Sequence, residues 1–276
     1  MRIVNSIREL VRDHSQSLGL VPTMGAFHEG HLSLMRTAKQ NHDIAVVSLF
    51  VNPTQFGAGE DFERYPRDFD RDAGLAESTG VDVLFAPSLK EMYPRRTTEI
   101  SVTGVTERWE GAHRPGHFTG VATVVAKLFN LVQPNVAYFG LKDLQQCLVL
   151  KRMVEDLDMP LRVQFEDTVR ESDGLALSSR NSYLSPEDRI RAPSLFSELS
   201  SIRDVMMVGE REIPFLLAES RRRLTEQGFL VDYLSLVELD TMDPTDTLDV
   251  DTALIVAAKL GSTRLIDNIR ILHRTS

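Results

Sequence analysis

The stretch Ile44-Ala45-Val46-Val47-Ser48-Leu49-Phe50-Val51 is an almost unbroken apolar run, rich in β-branched side chains. A run of this kind suits a central parallel strand covered on both faces by helices, and it limits the possible folds more than any other segment. Asn52-Pro53 stops it. Asn52 and Gln55 then fall in the loop past the strand's carboxyl end, the edge at which open α/β sheets bind ligands.

Strand and helix patterns alternate around this run. Leu18–Val21 reads as a short buried strand closed by Pro22, and Leu32, Met35 and Ala38 recur as the apolar face of a helix. Arg67–Thr79 reads as a surface helix, Val81–Ala86 as a strand, Thr119–Val132 as a buried helix and Val136–Phe139 as a strand. Asp143–Leu157 is a further helix and Leu161–Phe165 a further strand, while Ile3–His14 reads as a short helix and Thr97–Val105 as an extended excursion. The order predicts an α/β fold, a doubly wound parallel (Rossmann-like) sheet over about the first 170 residues. After Asn181 the rhythm changes. Helices from Pro186 to near Val208 and from near Glu212 to Gln227 precede three apolar runs, Leu230–Leu239, Ala253–Ala258 and Leu265–Ile271. They predict a smaller C-terminal α+β domain, dividing the chain into residues 1–176, which hold a nucleotide, and 177–276, which close over it.

The turn between the first strand and its helix, Gly25-Ala26-Phe27-His28-Glu29-Gly30-His31, places glycines and two histidines where a helix begins. Glycines allow close backbone approach, and the unpaired N–H groups of a helix start attract anions. Imidazoles add side-chain donors. A tight turn with two solvated histidines fits the same residues, and so does a shared metal ion. Zinc would need a third ligand and an oriented second shell, which no nearby Cys, His or acidic cluster offers convincingly. Phosphate is the better match.

Other loops repeat that chemistry. Gly140-Leu141-Lys142-Asp143 follows a strand with a glycine, a lysine that brings a point charge, and an acidic cap for the next helix. Leu177-Ser178-Ser179-Arg180-Asn181 packs hydroxyls and a guanidinium that match phosphate oxygens. Each also reads as an ordinary solvated loop when taken alone. Gly111–Phe118 is a third cationic loop, in which His113 and His117 read as surface turn histidines rather than catalytic groups.

A formal charge of −9 argues against a general nucleic-acid-binding surface. No apolar run reaches the ~18 residues a bilayer-spanning helix requires, and the first residues lack the apolar core and cleavage site of a signal peptide. A cytoplasmic protein without membrane or nucleic-acid partners is expected. The single cysteine, Cys147, lies in an apolar helical stretch and reads as a buried thiol.

Taken together, the histidine turn, the lysine loop and the Ser-Ser-Arg loop are similar to the HIGH and KMSKS pair of the nucleotidyltransferase superfamily. The likeness narrows further. Pro22–His31, Phe50–Phe56, Arg114–Val121, Lys127–Pro134, Gly174–Asn181 and Arg264–Asn268 resemble, in order and essentially end to end, the pantoate–β-alanine ligase family.

The resemblance implies ATP-dependent condensation of pantoate with β-alanine by way of pantoyl adenylate, releasing pyrophosphate and then AMP. It implies ATP and Mg2+ as cofactors, a homodimer, and pantoate bound with the nucleotide in the first domain. Carried onto matching positions, His28 and His31 hold the triphosphate, with His31 the better placed to donate a proton or stabilise charge. Lys142 and Arg180 neutralise phosphates, and Ser178 and Ser179 donate hydrogen bonds. Met24, Gly25, Gly140, Asp143, Val169 and Leu177 line the nucleotide site, and Gln55 and Gln146 bind pantoate. Asp72 is a weak candidate for a metal ligand or second-shell group, and a solvated helix carboxylate would read the same way. Two positions depart from the family: Leu141 stands where a glutamate is usual, and Thr54 where a methionine is usual. The first removes a carboxylate near the phosphates and bears on how the lysine is positioned; the second bears on packing around pantoate. A transferase that leaves the nucleotide on its product and a non-catalytic nucleotide-binding protein are the competing readings.

Overall fold

The computed structural model describes residues 1–10, 15–209 and 212–273. Its contacts divide the chain into two compact units. One is formed by Met1–Leu141 and Gln145–Asp167, the other by Lys142–Leu144 and the chain from Thr168 onward.

The first unit is a six-stranded parallel sheet built from β1 (Arg2–Val4), β2 (Leu18–Thr23), β3 (Ile44–Leu49), β4 (Val83–Phe85), β5 (Val136–Gly140) and β6 (Arg162–Glu166). Their order is β1-β4-β3-β2-β5-β6. The chain winds outward from β2 in both directions, so the point where the order reverses lies between β2 and β5. Ligands of doubly wound sheets bind at that switch point, outside the carboxyl ends of the strands. β3 lies between β2 and β4, and Ala45, Val46, Val47 and Ser48 are all buried, as the apolar run requires.

Helices α1 (Glu29–Asn41), α2 (Phe69–Ser78), α3 (Leu89–Met92), α4 (Glu110–His113), α5 (His117–Val132) and α6 (Leu144–Asp156) complete the parallel-sheet region. Met35 and Ala38 of α1 and Ala73 and Ala76 of α2 pack with Val21, Val47 and Leu84 in one core. α2 is therefore not a helix solvated all round. α5 buries Phe118, Val121, Val125, Leu128, Phe129 and Val132 among others, and Cys147 of α6 is buried too.

The structure moves several elements from their sequence-based positions. Ile3 lies in β1, paired with Leu84 of β4, and not in a helix; only a helical turn, Ile7–Glu9, follows, and residues 11–14 fall outside the described part. β2 runs through Pro22 to Thr23. Its pairing with β5 involves only Gly19 and Leu20, so the strand is open on that side by Pro22 and the missing N–H costs no ladder bond. Residues 97–105 pair with no strand among the described residues.

The second unit carries α7 (Pro186–Arg191), α8 (Ser194–Met207) and α9 (Ile213–Glu226), then β7 (Leu230–Glu238), β8 (Thr252–Leu260) and β9 (Thr263–Ile271). The single helix read from Pro186 onward is two helices, because Pro193 cannot donate to a helical ladder and α8 restarts after it. The three strands form an antiparallel sheet in the order β7-β8-β9. Leu195, Leu199, Ile202 and Met206 of α8 and Leu224 of α9 share one core with Leu236, Leu254, Val256 and Leu265 of the strands.

Candidate active site

β2 delivers the chain into a turn with consecutive left-handed residues, Gly25 at φ 86° and Ala26 at φ 53°. Alanine in that region costs on the order of 1–3 kcal/mol unless the surroundings hold it. Asp72 of α2, only 1% exposed, supplies the hold. Its Oδ2 accepts from the Ala26 N–H at 2.7 Å and its Oδ1 from the Phe27 N–H at 2.8 Å. Arg71 donates to the Phe27 carbonyl at 3.1 Å.

His28 then caps α1. Its Nδ1 accepts from the Gly30 N–H at 3.2 Å, while His31 Nδ1 accepts from the His28 N–H at 3.4 Å. The reciprocal bonds form a capping box made of two imidazoles. With each Nδ1 used as an acceptor, the proton of each neutral ring sits on Nε2, which makes both rings donors suited to an anion. Their centroids are 4.1 Å apart. The structure thus brings Met24, Gly25, His28 and His31 into one turn at the switch-point end of β2.

Gln55 follows β3 in a short helical turn, Pro53–Gln55, and is buried. Its Nε2 lies 2.9 Å from Met24 Sδ, so the candidate pantoate amide adjoins the candidate nucleotide turn. Asn52 holds the amide from the other end. Its Nδ2 donates to Gln55 Oε1 and to the Gly120 carbonyl, both at 3.1 Å, and its Oδ1 accepts from the Thr54 hydroxyl at 2.9 Å and the Tyr93 hydroxyl at 3.2 Å. Thr54 is therefore tied to Asn52, which fixes this departure from the family pattern in the supporting network. A Cβ on Gly120 would come within 2.3 Å of the Thr54 carbonyl, so α5 can approach this turn only with glycine there. An isolated glycine in an apolar helical run is a sequence sign of such close approach.

His117 corrects the expectation of a surface turn histidine. It is 9% exposed, and its Nδ1 donates to the Gln55 carbonyl at 2.7 Å. Its Nε2 consequently accepts from Arg114 Nη1 at 3.1 Å. Glu60 completes the chain, accepting from Arg114 Nε and Nη2 at 2.7 Å each. This network supports the backbone of Gln55, and sequence alone gave no sign of Glu60 in it. Burial, reinforced by the Arg114 charge, pushes the His117 pKa down to about 4.

A histidine in the unfolded chain titrates near 6.5, so between that value and about 4 the unfolded state binds the extra proton. Stability is therefore fully present above pH 6.5 and falls as the pH drops toward 4, by up to about 3 kcal/mol. Urea midpoints across this range are expected to fall more steeply in the wild type than in His117→Gln; equal slopes would remove His117 from the account.

Gln146 lies half-buried on α6 and has no hydrogen bond to Gln55 among the described residues. Its neighbour Gln145 is a staple, donating to the carbonyls of Val105 at 2.8 Å and Arg108 at 3.0 Å.

The remaining candidates belong to the second unit, apart from Gly140. Lys142 follows Gly140 and the buried Leu141 at the end of β5, with its Nζ 3.7 Å from Asp143 Oδ1. Asn268 of β9 donates to the Lys142 carbonyl at 3.0 Å. Val169 and Leu177 face each other across a narrow hairpin, Leu177 N–H donating to the Val169 carbonyl at 3.0 Å. Ser178 follows, its Oγ accepting from the Arg180 N–H at 3.3 Å, and Ser179 and Arg180 lie in the helical turn Ser179–Tyr183.

The family profile of pantoate-beta-alanine ligase matches residues 1–270. The chain belongs to this family. It is 50% identical over 274 residues to pantothenate synthetase of Moorella thermoacetica, covering 98% of this chain and 97% of that protein. The crystal structure of pantothenate synthetase from Thermus thermophilus superposes with a TM-score of 0.91 at 49% identity, covering 98% of this chain and 99% of that one. Pantoate-beta-alanine ligase from Francisella tularensis, solved with β,γ ATP and β-alanine, superposes with a TM-score of 0.81 at 33% identity, covering 98% and 97%. The doubly wound sheet with a smaller α+β part is thus the fold of the family, and the chain is a ligase of ATP-dependent pantothenate synthesis.

Proposed function

We propose that the chain joins pantoate to β-alanine in two half-reactions. The carboxylate of pantoate attacks the α-phosphorus of ATP, forming pantoyl adenylate and releasing pyrophosphate. The β-alanine amine then attacks the acyl carbon and AMP leaves, giving pantothenate. Activation is needed because a free carboxylate has no good leaving group. The observation that carries this reading is the juxtaposition of the histidine turn with Gln55, through Met24, past the carboxyl ends of β2 and β3.

In this reading His28 and His31 donate from Nε2 to the triphosphate, and His31 stabilises the charge that builds as pyrophosphate departs. Lys142 and Arg180 neutralise phosphate oxygens, with Ser178 and Ser179 donating hydrogen bonds. Met24, Gly25, Gly140, Asp143, Val169 and Leu177 line the nucleotide. Gln55 and Gln146 hold pantoate, whose hydroxyls and carboxylate need both a donor and an acceptor. Residues 1–176 would carry nucleotide and pantoate, and residues 177–276 the Ser-Ser-Arg loop that covers them. Family likeness further supports a cytoplasmic homodimer.

Mg2+ accompanies ATP in this proposal. It is typically held by substrate phosphates with one or two carboxylates. Asp72 does not fit as that carboxylate, since it is buried and both of its oxygens are turned onto backbone N–H groups of the turn. Among the described residues no three His, Cys, Asp or Glu side chains cluster to hold a metal ion.

Incubation with ATP, pantoate, β-alanine and Mg2+ is expected to yield pantothenate, with AMP appearing only when β-alanine is present. AMP or nucleotide transfer independent of β-alanine would overturn the assignment. Gln55→Ala is expected to raise the pantoate KM about tenfold, the loss of one or two hydrogen bonds of about 0.5–1.5 kcal/mol each. Its ATP KM should change little; an unchanged pantoate response would place pantoate elsewhere.

A further inference from the structure

Among the acidic side chains of the first unit, Asp72 is distinguished by where it is spent. It sits on α2, forty-five residues beyond Phe27, yet it is buried and engages two successive backbone N–H groups, those of Ala26 and Phe27. Successive N–H groups in a turn with left-handed residues form a concavity that binds anions. Here the anion is the protein's own carboxylate. The fit is close: a Cβ on Gly25 would lie 2.9 Å from Asp72 Oδ2. Arg71, the preceding residue of the same helix, donates to the Phe27 carbonyl, in the next peptide group toward His28, and lies 3.5 Å from Asp72 Oδ1. The residue after Phe27 is His28, whose backbone N–H in turn sets the ring of His31.

We infer that Asp72 is a positioning residue for the histidine turn, acting through the backbone of Ala26 and Phe27, and not a ligand of the metal that accompanies ATP. The chemistry follows from the donor count. An ionised carboxylate is acceptor-only and satisfies both N–H groups at once. Asparagine at this position offers one oxygen and sets an NH2 against the other N–H, so the isosteric replacement breaks the clamp while keeping its shape. A metal ligand and a backbone clamp therefore respond differently to the same substitution. As a ligand, Asp72 would govern how much Mg2+ the reaction needs. As a clamp, it governs where the imidazoles stand, with or without nucleotide.

This inference rests on the proposed function for its kinetic readout only. In Asp72→Asn, pyrophosphate release with ATP and pantoate is expected to slow by about ten- to a hundredfold, with the Mg2+ concentration for half-maximal rate unchanged within twofold. The imidazole resonances of His28 and His31 in the ligand-free protein, assigned by His28→Gln and His31→Gln, are expected to shift from their wild-type positions. A tenfold or greater rise in the Mg2+ requirement, with the rate restored by excess Mg2+, would overturn the inference. Unmoved imidazole resonances would overturn it too. Should Asp72→Asn fail to fold, Arg71→Ala removes the half-exposed partner of the adjoining Phe27 carbonyl; it is expected to shift the same resonances by a smaller amount, and their constancy there would count equally against the clamp. The resonance measurements hold even if the wild type makes no pantothenate, so failure of the functional reading and failure of this inference are distinguishable.

Discussion

Lys142→Ala is expected to lower the rate of adenylate formation by two to three orders of magnitude, read as pantoate-dependent exchange of labelled pyrophosphate into ATP. The first half-reaction moves negative charge onto phosphate oxygens as the bond to pyrophosphate lengthens. A fixed cation at that charge contributes roughly 3–4 kcal/mol, and each 1.36 kcal/mol is tenfold in rate. Lys142 is suited to the role by the way its backbone is fixed. It leaves β5 directly after Gly140 and the buried Leu141, and its carbonyl is held by Asn268. The side chain itself is about one-fifth exposed, so its charge is only partly screened. Among the described residues the acidic group it pairs with is Asp143, at 3.7 Å, long enough for a phosphate to displace it. Arginine is not expected to rescue the loss, because a planar fork does not occupy the place of a compact ammonium. Exchange at near wild-type rates in Lys142→Ala would show that another group carries this charge.

The parts of this structure that could be read from the sequence are those in which a local pattern coincides with a tertiary fact. The run Ile44–Val51 announces a doubly covered strand because both faces of β3 are apolar, and the helices α1 and α5 are legible from the spacing of the residues they bury. The histidine turn was visible because glycines and imidazoles cluster within seven residues of each other.

What escaped the sequence depends on partners distant in the chain. Asp72 resembles any helix carboxylate until the turn at Ala26 is folded against it. His117 looks like a loop residue because nothing near it reveals that the Gln55 carbonyl will cover one ring nitrogen and Arg114 the other. Ile3 has too few apolar neighbours to announce an edge strand, and its pairing with Leu84 decides its state. Pro193 carried a local signal, since proline interrupts a helical ladder, but the flanking pattern continued through it.

The closing block of the chain yields the second large effect, on stability. Asp267 of β9 is 5% exposed and accepts from Arg170 through both oxygens, at 2.6 and 2.8 Å, while the guanidinium lies 3.7 Å from the centroid of the Phe196 ring. Arg170 also donates to the Gly174 carbonyl at 3.1 Å, which ties the hairpin bearing Val169 and Leu177 to the C-terminal sheet. Removing one partner of such a pair leaves the other charge buried without compensation, a cost of about 3–5 kcal/mol. Asp267→Ala is therefore expected to speed native-state hydrogen exchange of the β8 and β9 amides by roughly two to four orders of magnitude, at about 1.4 kcal/mol per tenfold. The pair itself is worth less than its rupture suggests, because both ions were desolvated to form it. Adding Arg170→Met to Asp267→Ala removes the stranded charge and should recover much of the lost protection. The same strand carries Asn268, whose own N–H donates to Asp267 Oδ1 at 2.7 Å and whose side chain holds the Lys142 carbonyl. Loss of Asp267 should consequently reach the lysine as well, slowing pyrophosphate exchange in the fraction of molecules that stay folded; the double variant, which restores stability without restoring that N–H acceptor, should remain slow. Exchange rates unchanged in Asp267→Ala would show the ion pair to be incidental to the C-terminal unit, and full recovery of activity in the double variant would show that Lys142 does not depend on this strand.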